Sequence, residues 1–192
     1  MPSHRDATGQ AVDRIDASRC QLVLVDFQAR LMPAIEGGDR VLATALRLVQ
    51  AAQRLAVPVV GTEHNPLALG PNVQALRQHC ASTLSKMHFD ACEEGLTSLL
   101  QAIGERPEVV IAGCESHVCM LQTALGLLRS GRRVWVVADA CGSRRAADHA
   151  LAMQRLRDAG ATVVGAEMVM FEWVHDCRHP AFREVLALIK QG

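Results

Sequence analysis

The sequence has few aromatic residues and no excess of charge. It contains no tyrosine, and aromatic residues make up 3% of its 192 positions. Twenty basic residues balance twenty acidic ones, so the formal net charge is zero. Binding to nucleic acid or to an anionic membrane usually needs a basic surface, and single strands also need aromatic stacking platforms. We therefore expect neither a nucleic acid nor a membrane as partner.

Long apolar runs and paired cysteines are also absent. No segment approaches the roughly 18 consecutive apolar residues of a membrane span. The opening segment MPSHRDATGQAVDRIDASR is polar and has no apolar stretch typical of a secretion signal. The seven cysteines include no CxxC pair. An odd number without paired spacing predicts reduced thiols in a cytoplasmic protein rather than a disulfide framework.

The chain does have enough apolar residues to build a core. Hydrophobic residues make up 49% of it, and its length suits one compact domain. Residues 1–18 show no periodicity, so we expect a flexible N-terminal arm there and a single domain over residues 19–192.

From Cys20 onwards, short apolar runs alternate with segments of helical spacing. The predicted strands are CQLVLVDF, VPVVGTEH, STLSKMHF, EVVIAG, RRVWVVADA and ATVVGAEMV. The predicted helices are DRVLATALRLVQAAQRLA with Asp39 as cap, EEGLTSLLQAIG, SHVCMLQTALGLLRSG, SRRAADHALAMQRLRDAG with Ser143 as cap, and PAFREVLALIK. NPLALGPNVQALRQHC is predicted as a loop. This alternation predicts βαβ units, and hence an α/β fold with helices on both faces of a parallel sheet.

Ligands of open parallel sheets bind outside the carboxyl ends of the strands, so residues that follow the apolar runs are the candidates for function. These residues are Asp26, Gln28, Glu63, His64, Lys86, His88, Cys114, Glu115, His117, Cys119, Asp139 and Cys141. Neither GxGxxG nor GxxxxGK[ST] follows a strand, which disfavours nucleotide binding. A carboxylate, an amine and a thiol from separate strands instead favour nucleophilic catalysis by cysteine.

Cys119 is the thiol best placed for this chemistry. If Ser116 caps the helix, Cys119 lies in its first turn, where the helix dipole stabilises an anion and lowers a thiol pKa. Lys86 would lower the pKa further, and Asp26 could take or return a proton.

The same residue types also have interpretations other than cysteine catalysis, namely packing, turn formation and metal binding. Cysteines are often simply buried, and we assign Cys20, Cys80, Cys92 and Cys177 to packing and Asp139 to a turn. Two sets of side chains could bind a metal: Cys114, His117 and Cys119, and His175, Cys177 and His179. Neither set has the paired CxxC or HxxxH spacing of a zinc site, so we expect no metal.

Several motifs in this order resemble the isochorismatase-like cysteine hydrolase family. They are LVLVDFQARLMPAI, PVVGTEHNPLALGPNV, SKMHFDAC, VVIAGCESHVCMLQTALGLL, VWVVADACGSR and HPAFREVLALIK. The resemblance runs from Cys20 to the C-terminus and is closest to the uncharacterised isochorismatase-domain hydrolases. It implies a three-layer α/β/α sandwich with a six-stranded parallel sheet, a small-molecule substrate, no cofactor, and a homo-oligomer. Leu67, Leu69, Met170 and Trp173 are the candidate interface residues.

The resemblance also implies a mechanism. A triad falls on Asp26, Lys86 and Cys119, and in amidases of the family the cysteine attacks a carbonyl and forms a thioester. A cis peptide bond would join Cys114 to Glu115, and the amides of Glu115 and Cys119 would form an oxyanion hole. Residues expected to line the substrate pocket are Phe27, Gln28, Glu63, His64, His88 and His117.

Two departures from the family pattern reduce the number of reactions that the resemblance implies. Nicotinamidases carry an Asp-x-His metal motif after the second strand, where this chain has His64 and Pro66. The isochorismatase proper lacks the cysteine that is present here as Cys119. A metal-independent cysteine hydrolase is therefore the leading prediction. Hydrolysis of an isochorismate-like ether driven by Asp26 is one alternative, and a binding or scaffold protein without turnover is the other.

Overall fold

The computed structural model describes residues 14–191, and a parallel sheet runs through their centre. Its strands are β1 (Cys20–Val25), β2 (Val59–His64), β3 (Ser82–Lys86), β4 (Glu108–Cys114), β5 (Arg133–Gly142) and β6 (Thr162–Val164). They are ordered β3-β2-β1-β4-β5-β6, and every neighbouring pair is parallel. The predicted six-stranded parallel sheet is confirmed.

Helices cover both faces of this sheet. They are α1 (Gly38–Arg54), α2 (Pro66–Leu69), α3 (Gln74–Arg77), α4 (Leu96–Ala102), α5 (Leu121–Arg129), α6 (Ala146–Asp158), α7 (Ala166–Val174) and α8 (Phe182–Ile189). Right-handed crossovers that leave the central strands in opposite directions place their helices on opposite faces. Accordingly α1 packs with α7 and α8, and α5 packs with α6. None of these helices is long and apolar enough to cross a membrane.

The central strands are continuous apolar runs because both of their faces are covered. All six residues of β1 and all seven of β4 are buried. Parallel strands covered by helices on both sides have this composition, whereas half-exposed strands alternate. The chain reverses its direction of winding between β1 and β4, so their carboxyl ends flank the crevice where such sheets bind ligands.

Two stretches differ from the predicted secondary structure. Residues 65–80 were expected to be a loop, but they contain α2 and α3. The last strand was expected to extend through GAEMV, whereas β6 ends at Val164 and α7 begins at Ala166. The buried residues of α7, among them Val169, Met170 and Trp173, recur with helical spacing, but Met168 and Phe171 on its exposed side are apolar as well and obscure that spacing in the sequence. A short apolar run of this kind does not separate strand from helix by periodicity.

The predicted helix caps at Asp39 and Ser143 are wrong. Helix α1 is preceded by Gly37, and Asp39 lies within its first turn without a capping bond. Helix α6 starts three residues after Ser143, whose hydroxyl pairs with His117 instead. The capping preference describes a local backbone bond, and here tertiary contacts use these side chains differently.

The predicted N-terminal arm, residues 1–18, falls mainly on residues 1–13, which lie outside the described part of the chain. Within the rest of that segment, the Ile15 side chain is fully buried. The Ile15 amide also donates to Glu172 Oε2 on α7 at 2.7 Å. Packing against the domain thus already includes Ile15, four residues before the predicted boundary.

Candidate active site

Asp26 and Lys86 form a buried ion pair at the carboxyl edge of the sheet. Asp26 directly follows β1, and Lys86 is the last residue of β3, with β2 between them. Lys86 Nζ lies 2.8 Å from Asp26 Oδ2, and both side chains are fully inaccessible to solvent. Thr62 of β2 donates its hydroxyl to Asp26 Oδ1 at 2.6 Å. Three adjacent strands therefore hold one carboxylate, with a partner on each of its oxygens.

Cys119 is the third member of this cluster. It lies in a single π-helical turn, Ser116–Met120, that joins β4 to α5, and its side chain is buried. Its thiol interacts with both Asp26 and Lys86. The triad residues predicted from separate segments are thus close together in the fold.

The expected lowering of the Cys119 pKa is wrong. Burial, followed by the negative charge of Asp26, raises the pKa of the thiol to about 12, and Lys86 offsets only part of this. Ser116 is not a cap either, because the helical turn starts at Ser116 itself and its hydroxyl pairs with His149. At neutral pH the Cys119 thiol is therefore protonated in the resting cluster, beside the Asp26–Lys86 ion pair. A thiolate can form there when the carboxylate accepts the proton.

The turn that carries Cys119, residues 115–120, is tied to the segment after β5. Three consecutive side chains of the turn each bond to that segment. The bonds join Glu115 Oε2 to the amide and Nε of Arg144 (2.9 and 3.0 Å), Ser116 Oγ to His149 Nδ1 (2.9 Å), and His117 Nδ1 to Ser143 Oγ (3.0 Å). These contacts hold the backbone that presents the thiol.

Two backbone features shape the start of this turn. The peptide bond between Cys114 and Glu115 is cis, the isomer that the family resemblance implied at this position. Just before it, Gly113 has φ of 149°, and a Cβ there would overlap the carbonyl oxygen of Val25. Glycine at 113 thus lets β4 approach β1 closely, next to Asp26.

The residues predicted to line the pocket divide into two groups. Phe27 is fully buried, and the Glu63 carboxylate accepts the Asn72 amide at 2.9 Å. Gln28 bonds to the backbone of His64 at both ends of its amide, at 2.9 and 3.0 Å. Gln28 and Glu63 thus hold the loop after β2 in place, and the prediction that these three residues line the substrate pocket stays a prediction.

The three histidines among the pocket candidates differ in their surroundings. His117 pairs with Ser143, and His88 is exposed and bonded to Glu94, which raises the His88 pKa. His64 ends β2 opposite Lys86, and its ring lies 5.1 Å from that of Phe89. His64 Nδ1 is buried without a hydrogen-bond partner. Of the three, His88 contacts the ion pair through its backbone, since its carbonyl oxygen accepts from Lys86 Nζ at 3.4 Å.

Sequence reasoning overlooked Thr62 and the residues that hold the Cys119 turn. Thr62 was detectable, because it lies at the end of a predicted strand just before Glu63. The partners Arg144 and His149 lie in a segment that was predicted as an ordinary helix. No feature of the sequence there indicated a contact with the Cys119 turn. Within residues 14–191, no three His, Cys, Asp or Glu side chains group closely enough to hold a metal ion, so neither metal set from the sequence comes together there.

The fold and the cluster define an α/β protein with a buried aspartate, lysine and cysteine at the carboxyl edge of a parallel sheet. A family model for the Isochorismatase domain matches residues 20–168, and the chain belongs to the isochorismatase family. It is 35% identical over 170 residues to isochorismatase domain-containing protein 2 of Xenopus laevis, covering 88% of this chain and 83% of that protein. The human protein of that name is 34% identical over 188 residues, covering 96% and 90%. The resemblance inferred from the motifs is confirmed.

Solved structures show the same fold. The MAR1 ribonuclease of Caenorhabditis elegans superposes with a TM-score of 0.86 at 31% identity, covering 93% of each chain. YcaC of Escherichia coli, described as an octameric hydrolase of unknown specificity, superposes with a TM-score of 0.83. At 24% identity, with 95% and 98% of the chains covered, this second likeness supports the fold alone.

Proposed function

We propose that this protein is a metal-independent cysteine hydrolase that cleaves a small amide or a related C–N bond. The observation that carries the proposal is the buried Asp26–Lys86 ion pair at the strand ends, whose two charges both act on the Cys119 thiol. A nucleophile, a proton acceptor and a fixed positive charge are the groups that acyl transfer through a thioester needs. Membership of a hydrolase family supports the same reaction class.

The reaction takes place in two halves. Asp26 accepts the Cys119 proton as sulfur attacks the carbonyl carbon, and it returns that proton to the nitrogen as the C–N bond breaks. Ammonia or an amine leaves, and the acyl group stays on sulfur as a thioester. Water then loses a proton to Asp26 and attacks the thioester. The C–S bond breaks, the acid leaves, and the thiol regains its proton.

Lys86 supplies the positive charge beside the Asp26 carboxylate, which is the proposed proton acceptor. Its Nζ lies 2.8 Å from Asp26 Oδ2 in a site closed to solvent. Electrostatic attraction between charges is stronger there than in water, because the local dielectric constant is lower. As the proton moves to Asp26, the developing thiolate comes to share the same ammonium group. The lysine thus compensates negative charge on whichever atom carries it.

The backbone of the Cys119 turn is the proposed oxyanion hole. The amides of Glu115 and Cys119 flank the turn that follows the cis peptide bond. Main-chain donors held in place before the reaction stabilise a tetrahedral oxyanion most effectively. The bonds from Arg144, His149 and Ser143 hold this turn in place.

The decisive experiment is a panel of small amides and carbamates incubated with the purified protein. Product release is followed, and intact-mass spectrometry looks for an acyl group on Cys119. A labelled RNA belongs in the panel, because the related C. elegans protein is described as a ribonuclease. Acyl adducts on Cys119 with amide turnover support the proposal. Ligand-induced thermal stabilisation without any product would point to the binding-protein alternative.

Asp26→Asn is expected to abolish turnover and at the same time speed alkylation of Cys119 at neutral pH by about threefold or more. Asp26 raises the thiol pKa and Lys86 lowers it, so removing the carboxylate charge leaves the lysine unopposed. Iodoacetamide labelling of Cys119 is measured by peptide mass mapping in a Cys177→Ser background, because Cys177 is exposed. With Asp26 intact, the labelling rate should still rise with pH beyond roughly pH 9, since the thiol pKa is about 12.

Asp139→Asn is the control for this experiment. Asp139 also follows a strand, but its carboxylate bonds to the Ala166 amide and not to Cys119. The control should leave both turnover and labelling within twofold of the parent. Unchanged or slower labelling in Asp26→Asn would show that the carboxylate does not control the thiol.

We also propose that the protein forms a homo-oligomer through an apolar patch of Leu67, Met87 and Phe89. The side chains of these residues are 94%, 64% and 48% exposed, and they follow the neighbouring strands β2 and β3. Exposed apolar clusters of this kind usually mark interaction surfaces. The prediction that Met170 and Trp173 are interface residues is wrong, because both side chains are buried in the core.

Leu67→Glu is expected to convert the oligomer to smaller species. A charge buried at an interface without a partner is strongly unfavourable, so association should weaken at least tenfold. Light scattering coupled to size-exclusion chromatography measures the mass. Leu151→Glu on α6 is the matched control, since Leu151 is 65% exposed outside the patch. A monomeric parent protein, or an unchanged mass in Leu67→Glu, would contradict the proposal.

A further inference from the structure

A cavity of about 400 Å³ lies between α1, the end of β5 and the start of α6. None of Asp26, Lys86 and Cys119 lines it. Its volume falls within the range of small-molecule sites, which begins at roughly 300 Å³. Ser143 and His149, which bond to the Cys119 turn, also line the cavity, but the proposed reaction places no substrate in it.

One wall of the cavity is a polar stripe on α1. Arg40, Thr44 and Arg47 are spaced by four and three residues, so they share one face of the helix, and all three line the cavity. Arg47 Nη2 donates to Thr44 Oγ1 at 3.2 Å. Arg47 Nε is buried and has no hydrogen-bond partner. The Nε atom itself has no accessible surface, so an acceptor in the cavity can reach Arg47 only through its terminal guanidinium nitrogens.

The acidic residues of the cavity wall already have partners. Glu36 Oε2 accepts the Ala146 amide at 2.8 Å, at the start of α6. Asp139 Oδ1 accepts the Ala166 amide at 2.8 Å, at the start of α7. The positive end of each helix compensates the carboxylate beside it.

The arginines lack such compensation. Within residues 14–191, no carboxylate lies within ion-pair distance of Arg40 or Arg47. Arg40 also lies in the first turn of α1, where the helix dipole adds to its positive charge. The cavity wall thus carries two carboxylates that accept from backbone amides and, along α1, two arginines without a carboxylate partner.

We propose that this cavity is a second ligand site, which binds a small oxyanion such as a dicarboxylate or a phosphate. Arg47 donates through its terminal guanidinium nitrogens from the partly buried end, and the exposed Arg40 contacts the anion from the cavity mouth. The planar guanidinium fork suits carboxylate and phosphate groups equally, so the shared chemistry is that of an oxyanion.

The test is binding of inorganic phosphate and, in a separate arm, of succinate. Isothermal titration calorimetry is run at constant ionic strength on the protein, on Arg47→Met and on Arg40→Gln. We expect saturable binding in at least one arm and a loss of affinity of at least tenfold in each variant. The two arms show which oxyanion the site prefers. Because Arg40 is exposed, its variant should fold even if Arg47→Met does not.

Arg157→Gln is the control, since Arg157 is an exposed arginine of α6 that does not line the cavity. Its affinity should stay within twofold of the parent. Phosphate also stabilises folded proteins without binding to a specific site. Only saturable binding that weakens in the cavity variants therefore counts as evidence for the site. Absence of saturable binding in both arms, or equal affinity in all variants, would overturn the proposal. The readout does not depend on substrate hydrolysis, so it stands or falls separately from the proposed catalytic function.

Discussion

Cys119→Ala is expected to abolish turnover of any amide that the panel identifies, with a fall in kcat/KM on the order of 10³-fold or more. The proposed reaction requires a covalent bond between Cys119 sulfur and the substrate carbon, and alanine has no atom that can form it. The acyl adduct seen by mass spectrometry should disappear together with the activity. The fold should survive, because removing one sulfur atom from a buried position costs about 1 kcal/mol.

Cys92→Ala is the matched control for the loss of a thiol. Cys92 is partly buried, and its pKa is also raised to about 12, but its contacts are with Asp90 and Thr123 rather than with the ion pair. It should keep activity within twofold. Cys119→Ser adds a second comparison, since it retains the shape of the side chain but has a far weaker nucleophile. We expect it to be as inactive as the alanine variant.

The outcome that would contradict the cysteine mechanism is specific. Activity that survives Cys119→Ala within tenfold but is lost in Asp26→Asn would favour acid chemistry by Asp26 on an ether-linked substrate. Asp26 is buried beside both Lys86 and Cys119, so either mechanism makes the carboxylate essential. The two variants together, rather than either alone, therefore separate the two hydrolases.

Much of this site follows from one topological rule. The carboxyl ends of parallel strands meet at one edge of the sheet, so Asp26 after β1 and Lys86 at the end of β3 lie on the same edge, and their side chains meet across β2. Cys119 follows β4 and lies on the same edge. Runs such as LVLV and VVIA are apolar because helices cover both faces of the sheet, which makes the central strands the most reliably predicted elements. The predicted cytoplasmic location rests on composition alone and stays a prediction.

What the sequence could not predict depends on tertiary surroundings. The position of Cys119 near a helix start predicted that the helix dipole lowers the pKa of its thiol, but burial and the nearby Asp26 raise that pKa. The π-helical turn before α5 cannot be distinguished from an ordinary first turn by apolar spacing. The bonds from Arg144 and His149 to that turn join residues about thirty positions apart, as the separations of 29 and 33 show. Patterns among neighbouring residues in the sequence do not predict such contacts.

The shared placement of the cluster explains why its members cannot be treated as independent. Thr62, Lys86 and Cys119 all interact with the Asp26 side chain, which has no access to solvent. In such a site a change at one member alters the charge balance of the others. Stability as well as activity should therefore depend on keeping the carboxylate and the ammonium group together.

Lys86→Met is expected to lower the free energy of unfolding by roughly 3–5 kcal/mol, whatever the substrate proves to be. Methionine has a similar length and fills the same space, but it leaves the fully buried Asp26 carboxylate without its counter-charge. The double variant Asp26→Asn with Lys86→Met should recover at least half of the loss, because it removes both charges and keeps their volumes. Urea denaturation followed by circular dichroism measures the free energy of unfolding of the parent protein, of Lys86→Met and of the double variant.

Arg54→Met is the control for breaking an ion pair at the surface. Arg54 pairs with Glu184 across α1 and α8, and both side chains are more than half exposed. Such pairs contribute about 0–1 kcal/mol, so this variant should change little. If Lys86→Met is no less stable than Arg54→Met, or if the double variant is as unstable as the single one, the buried pair is not what holds this end of the sheet together. If both results come out as expected, the double variant will be folded but inactive. That combination would separate the structural contribution of the pair from its proposed role in proton transfer.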